Sequence, residues 1–113
     1  ARSIGAAFTE RSRAFVDAPV SGGDVGAREA RLTIMAGGSP EAFGTARPVF
    51  DAVRRSAVRF GPTGAGQLMK AVNQVAVAIS VMAMAESFTF AQAAGLPMEG
   101  VLEVLQGGAA GSW

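Results

Sequence analysis

Cysteine, histidine and tyrosine do not occur in this chain, and lysine occurs once in its 113 residues. Without cysteine there is no disulfide, no thiolate nucleophile and no zinc ribbon. Without histidine the commonest metal ligand and the commonest general base are missing. These absences close the Ser-His-Asp and Cys-His routes to catalysis and any Tyr-Lys proton-transfer pair, and no metal site is expected. An excess of charge of one sign is missing too. Ten basic and nine acidic residues are spread along the chain with no like-charged run beyond Arg54-Arg55, so no nucleic-acid partner is expected. Long hydrophobic runs are also scarce. The most apolar stretch, "VAVAISVMAMA" at 75–85, runs directly into Glu86 and falls short of the roughly 18 apolar residues a bilayer span needs, so no membrane partner is expected either. The opening residues "ARSIGAAFTERSRAF" have neither the apolar core nor the cleavage site of a signal peptide.

What is present is enough apolar material, half of all residues, for the core of one modest domain. The first residue is not methionine and the last are "GGAAGSW", which reads as a piece of something longer. Ile4, Ala7 and Phe8 sit at helical spacing and predict a helix ending near Arg13. "FVDAPV" at 15–20 and "LTIMAGG" at 32–38 read as strands halted by glycine pairs, and "AVRFG" at 57–61 as a third. Between them, Ser39 as N-cap, Pro40 at the first helical position and Glu41 in the first turn mark a helix start, with Pro48 expected to break or kink that helix. Beyond "GPTGAG" there is neither proline nor glycine from Gln67 to Ala94, which predicts one long helix; Gly95 stops it, and Pro97 opens another through about Gln106. The predicted fold is α/β followed by all-α, with residues 1–66 forming the α/β part and residues 67–113 the helical part.

Two places could carry chemistry. On the long helix Lys70, Asn73 and Gln74 stand at i, i+3 and i+4 and so share a face. They are either an exposed start of the helix or a site in which the lysine exchanges a proton with a substrate oxygen while the amides hold it. An arginine could not do this, because a guanidinium keeps its proton in proteins whereas an ammonium can release one. The second place is Ser21-Gly22-Gly23, immediately after a strand. It is either an ordinary turn or a concavity of hydroxyl and uncovered N–H groups suited to a carboxylate or phosphate. "GPTGAG" has neither the G-x-G-x-x-G nor the P-loop spacing, and reads as a means of turning the chain closely under the helix. Glu86 reads as a structural group paired at a helix interface, and Met82 and Met84 as core packing.

Taken together, "FVDAPVSGGDVGA", "LTIMAGG", "GPTGAGQLMKAVNQ" and "MAMAESFTFAQAAGL" resemble the β-hydroxyacid dehydrogenase family, which includes 3-hydroxyisobutyrate dehydrogenase and tartronate semialdehyde reductase. The resemblance runs from about residue 13 to the end, with four motifs in the family's order. It implies an NAD- or NADP-dependent cytoplasmic enzyme acting on a small 3-hydroxy acid or its semialdehyde. It also implies the last part of a Rossmann-type domain, a long interdomain helix and the start of a helical domain through which subunits pair as a homo-oligomer. By the same resemblance Ser21, Gly22 and Gly23 hold the substrate carboxylate, Lys70 is the proton donor and acceptor, and Asn73 and Gln74 contact the substrate. The family often has a second asparagine where Gln74 stands, and Gly-Thr where Ala30-Arg31 stand. Its G-x-G-x-x-G fingerprint has no counterpart in this chain, so the 113 residues alone are expected to be inactive. Two other readings compete: a Ser-Lys hydrolase using Ser21 and Lys70, and a non-catalytic module kept for dimerisation or carboxylate binding.

Overall fold

The computed structural model describes residues 1–111. The chain divides into two compact units, Ala1–Gln74 and the residues from Val75 onward. The first contains a three-stranded sheet in the order β1 (Val20–Ser21), β2 (Leu32–Gly37), β3 (Arg54–Gly61), with β1 antiparallel and β3 parallel to β2. Helix α1 (Arg2–Thr9) precedes the sheet, α2 (Gly23–Arg28) links β1 to β2, and α3 (Pro40–Asp51) forms the crossover between the parallel strands. Helix α4 (Ala65–Ala93) begins in this unit and continues into the second, which also holds α5 (Met98–Gly107) and a short 3-10 turn at Ala109–Gly111. The α/β-then-all-α architecture is therefore the one observed.

The core of the first unit is Ile34, Ala36 and Phe50, with Val16, Ala18, Leu32, Phe43, Ala46 and Ala57 packed around it. Its centre is β2, whose residues from Ile34 to Gly37 are all buried, as expected for a strand paired on both edges.

Several expected elements differ in their bounds. The strand expected at 15–20 is regular only at Val20–Ser21, yet an isolated bridge pairs Asp17 with Gly37 in the same register that pairs Val20 with Ile34 and Ser21 with Thr33. Pro19 explains the gap: its carbonyl accepts from Met35 N at 2.9 Å, but it has no N–H to return the bond. Of the break or kink expected at Pro48, the break is not found, and α3 runs unbroken from Pro40 to Asp51. Phe43 and Phe50 stand on either side of the proline and touch across it, with ring centroids 5.6 Å apart, so packing on the core holds the helix through its missing hydrogen bond. β3 starts at Arg54 rather than residue 57, and α1 ends at Thr9, before the expected Arg13. Helix α2 is unforeseen, because "SGG" reads as a stop; Gly22 instead caps a new helix, whose Gly26 packs against Leu32.

In the second unit Gly95, at φ 70°, turns the chain out of α4, and Leu96 N closes on Ala91 O at 3.0 Å. Helix α4 extends the apolar run at 75–85 on both sides. At 29 residues and a mean hydropathy of 1.6 over its most apolar stretch, it meets the length and apolarity of a bilayer span by composition alone. Glu86 is exposed, and the ion pairs among the described residues all lie between Asp24 and Arg54, so the pairing expected for Glu86 is not made.

Candidate functional site

The start of α4 is built by glycine. Gly61 (φ 152°) and Gly64 (φ 96°) take the chain through backbone conformations that side chains disfavour, and it turns directly from the end of β3 into the helix. Gly66 then passes so close to β2 that a Cβ there would lie 2.4 Å from the Met35 carbonyl oxygen and 2.7 Å from that of Asp17. A Cβ at Gly37, on the strand side of the crossing, would lie 2.7 Å from Gly66 N. The loop thus serves the close turn foreseen for it.

Asp17 fills the crossing. Its side chain is 4% exposed, and its two carboxylate oxygens accept from Gly64 N at 2.6 Å and Gln67 N at 2.9 Å, closing the amino end of α4. With these N–H groups already engaged, that helix end has little left to offer an external anion. A lone acid inside an apolar run such as "FVDAPV" is itself a signal that donors must be waiting for it.

One turn further along α4, the ammonium of Lys70 donates to the main-chain carbonyl of Val20 at 2.8 Å. Val20 precedes Ser21, so the one lysine and the Ser21-Gly22-Gly23 segment are brought to the same place by way of the β1 main chain. Lys70 and Ser21 are both half-buried. Gly22 (φ 136°) and Gly23 (φ 62°) curl the chain from β1 into α2 and leave their N–H groups without side-chain cover. Asn73 is half-buried, and its amide nitrogen donates to the side-chain oxygen of the exposed Gln74 at 3.1 Å. That bond fixes which end of each amide is engaged and leaves the Asn73 carbonyl oxygen for another donor.

The arrangement offers the Lys70 side-chain nitrogen beside uncovered main-chain N–H groups and a hydroxyl. That combination suits a small substrate bearing a carboxylate and a carbonyl or alcohol oxygen. A dinucleotide needs more than this: the G-x-G-x-x-G spacing does not occur, and Asp17 closes the glycine-rich helix start that could otherwise cradle a phosphate.

Comparison with known proteins matches the chain to two families. Residues 1–61 match the family described as the NAD binding domain of 6-phosphogluconate dehydrogenase. Residues 64–113 match the NAD-binding domain of NADP-dependent 3-hydroxyisobutyrate dehydrogenase. An oxidoreductase of Shewanella frigidimarina is 49% identical over all 113 residues, which span 39% of its length. The NAD-dependent L-serine dehydrogenase of Pseudomonas aeruginosa is 42% identical over the whole chain and 38% of its own length. Among solved structures, 3-hydroxyisobutyrate dehydrogenase from Salmonella typhimurium superposes on the whole chain with a TM-score of 0.91 at 38% identity, over 40% of its length. The chain thus spans about two-fifths of the length of the relatives it matches.

Proposed function

The chain belongs to the β-hydroxyacid dehydrogenase family, with the NAD-binding domain of 6-phosphogluconate dehydrogenase over residues 1–61, and from that premise we propose that it is the acid/base and carboxylate-binding segment of an NAD- or NADP-dependent dehydrogenase. Its substrate is a small 3-hydroxy acid, or the corresponding semialdehyde in reverse, and the complete enzyme, with the nucleotide fingerprint this chain lacks, carries the activity. A nicotinamide bound in the complete enzyme would supply the hydride chemistry at the alcohol carbon, accepting in oxidation and donating in reduction. In oxidation the neutral Lys70 amine accepts the hydroxyl proton as the C–O bond becomes a carbonyl, and in reduction its ammonium protonates the developing alkoxide. Ser21 and the N–H groups of Gly22 and Gly23 hold the carboxylate, while Asn73 and Gln74 fix the substrate against Lys70. Gln74 reaches one methylene further than an asparagine and bears on the size of substrate admitted.

The observation that carries this reading is the 2.8 Å contact between Lys70 Nζ and the Val20 carbonyl, which puts the amine beside the Ser21–Gly23 segment. The same contact weighs against a Ser-Lys hydrolase, whose lysine should meet the serine hydroxyl instead. The experiment is to supply the complete enzyme with L-serine, 3-hydroxyisobutyrate and related three- and four-carbon 3-hydroxy acids, each with NAD and with NADP, and follow nicotinamide reduction. Turnover of at least one acid is expected. Ser21→Ala should raise its KM roughly 10- to 100-fold through loss of a hydrogen bond to a charged group. No turnover with any acid and either nucleotide refutes the reading.

A further inference from the structure

We infer that Asp17 is a positioning residue that sets the alignment of the Ser21–Gly23 segment against Lys70, an inference that rests on the dehydrogenase reading above. Among the described residues it is the one charged side chain that is buried. No arginine or lysine pairs with it; both carboxylate oxygens are met by main-chain N–H groups at the positive end of α4. Its own main chain is fixed to the end of β2, with Asp17 N donating to Gly37 O at 2.9 Å and Gly37 N to Asp17 O at 2.8 Å. One residue therefore ties the strand that leads into the carboxylate loop to the helix that carries the lysine.

The spacing extends this tie to the site. Val20 lies three residues beyond Asp17, and Lys70 three beyond Gln67, so the Val20–Lys70 contact repeats the Asp17–Gln67 contact one step along both elements. Three extended residues advance about 10 Å and three helical ones about 4.5 Å, a difference the long lysine side chain spans. A cap needed only for helix stability is ordinarily supplied by the N-cap residue's own side chain. Here glycine precedes Ala65, and the cap arrives from a residue 47 to 50 positions earlier in the chain. The space it occupies is kept clear by Gly37 and Gly66, where a Cβ would lie 2.6 and 2.8 Å from its oxygens.

The test compares Asp17→Asn with the unmutated complete enzyme. Asparagine keeps the size but turns a donor toward one of the two N–H groups. Three quantities are read at a temperature where circular dichroism shows both proteins folded: turnover, the deuterium isotope effect with substrate labelled at the alcohol carbon, and the labelling rate of Lys70 by an amine-acylating reagent, resolved by peptide mass spectrometry. Turnover should fall roughly 10- to 100-fold with a larger isotope effect, and Lys70, released from Val20, should label faster. If Asp17→Asn does not fold, Asp17→Glu, which keeps the charge and adds a methylene, carries the same expectations. Faster labelling in an enzyme whose unmutated form turns over no hydroxy acid would uphold the positioning and sink the reaction. A folded variant with unchanged turnover and unchanged labelling overturns the role of Asp17.

Discussion

Replacing Gly66 by alanine adds one methyl group at the tightest point of the first unit. Its Cβ would stand 2.4 Å from Met35 O, 2.7 Å from Asp17 O and 2.8 Å from Asp17 Oδ2. Carbon–oxygen contacts settle at about 3.3–3.6 Å, so relieving the contact with Met35 O requires the helix to lift by roughly 1 Å. None of the three oxygens can yield easily: one belongs to the β2 main chain, one to the Asp17 main chain bridged to Gly37, and one to the buried carboxylate. Overpacking of this kind costs about 1–3 kcal/mol, and breaking the Asp17–Gln67 hydrogen bond adds about 1.5–3 kcal/mol because its acceptor is charged. The sum, about 2.5–6 kcal/mol, is a large share of a domain's net stability. Gly44→Ala is the control. A Cβ at Gly44 meets nothing within 4 Å, and in the interior of α3 it should stabilise by about 0.5–1 kcal/mol. Urea denaturation of the complete enzyme should move the two midpoints in opposite directions. Gly66→Ala with an unshifted midpoint would refute the close crossing of α4 and β2.

Ala30 sits at φ 53°, where family members often have glycine, so Ala30→Gly should raise stability by about 0.5–1 kcal/mol after its extra chain entropy is counted, measured by thermal unfolding. Ser39 accepts from Ala42 N at 3.1 Å, and Ser39→Ala should cost about 1 kcal/mol in the same assay. The Glu41 carboxyl is held below its ordinary range, first by a main-chain hydrogen bond and then by Ser39. Its contribution is therefore present above the ordinary glutamate range and lost as pH falls through the lower folded value, so Ser39→Ala should flatten the acid side of the stability curve. Residues 1–113 expressed alone should self-associate, because α4 leaves Val75, Ile79, Val81 and Met82 more than half exposed. A stable dilute monomer in sedimentation would contradict that.

The elements that the sequence revealed are those with local causes. The Ser39-Pro40-Glu41 start of α3, the glycine-free run of α4 and the Gly95 stop each rest on a few adjacent residues, and each is found close to where it is expected. The misses come from packing, which residue type alone does not report. Pro48 is tolerated because Phe43 and Phe50 pack together across it, and Asp17 finds its donors some fifty residues away, where no local window along the chain holds both partners. Helix α2 escaped notice because a glycine pair can halt a strand and open a helix in the same turn. In the site, Lys70 and Ser21–Gly23 stand out by residue type, but the contact through the Val20 carbonyl joins positions fifty residues apart and is visible only in the folded chain.

The central claim is that Lys70 exchanges the substrate proton, and the most direct measurement is the turnover of Lys70→Arg beside Lys70→Ala in the complete enzyme. Arginine keeps the charge and approximate length but cannot release a proton, so both variants should fold and lose roughly 10²–10⁴-fold in kcat. A Lys70→Arg enzyme that retains most of its turnover would contradict the account.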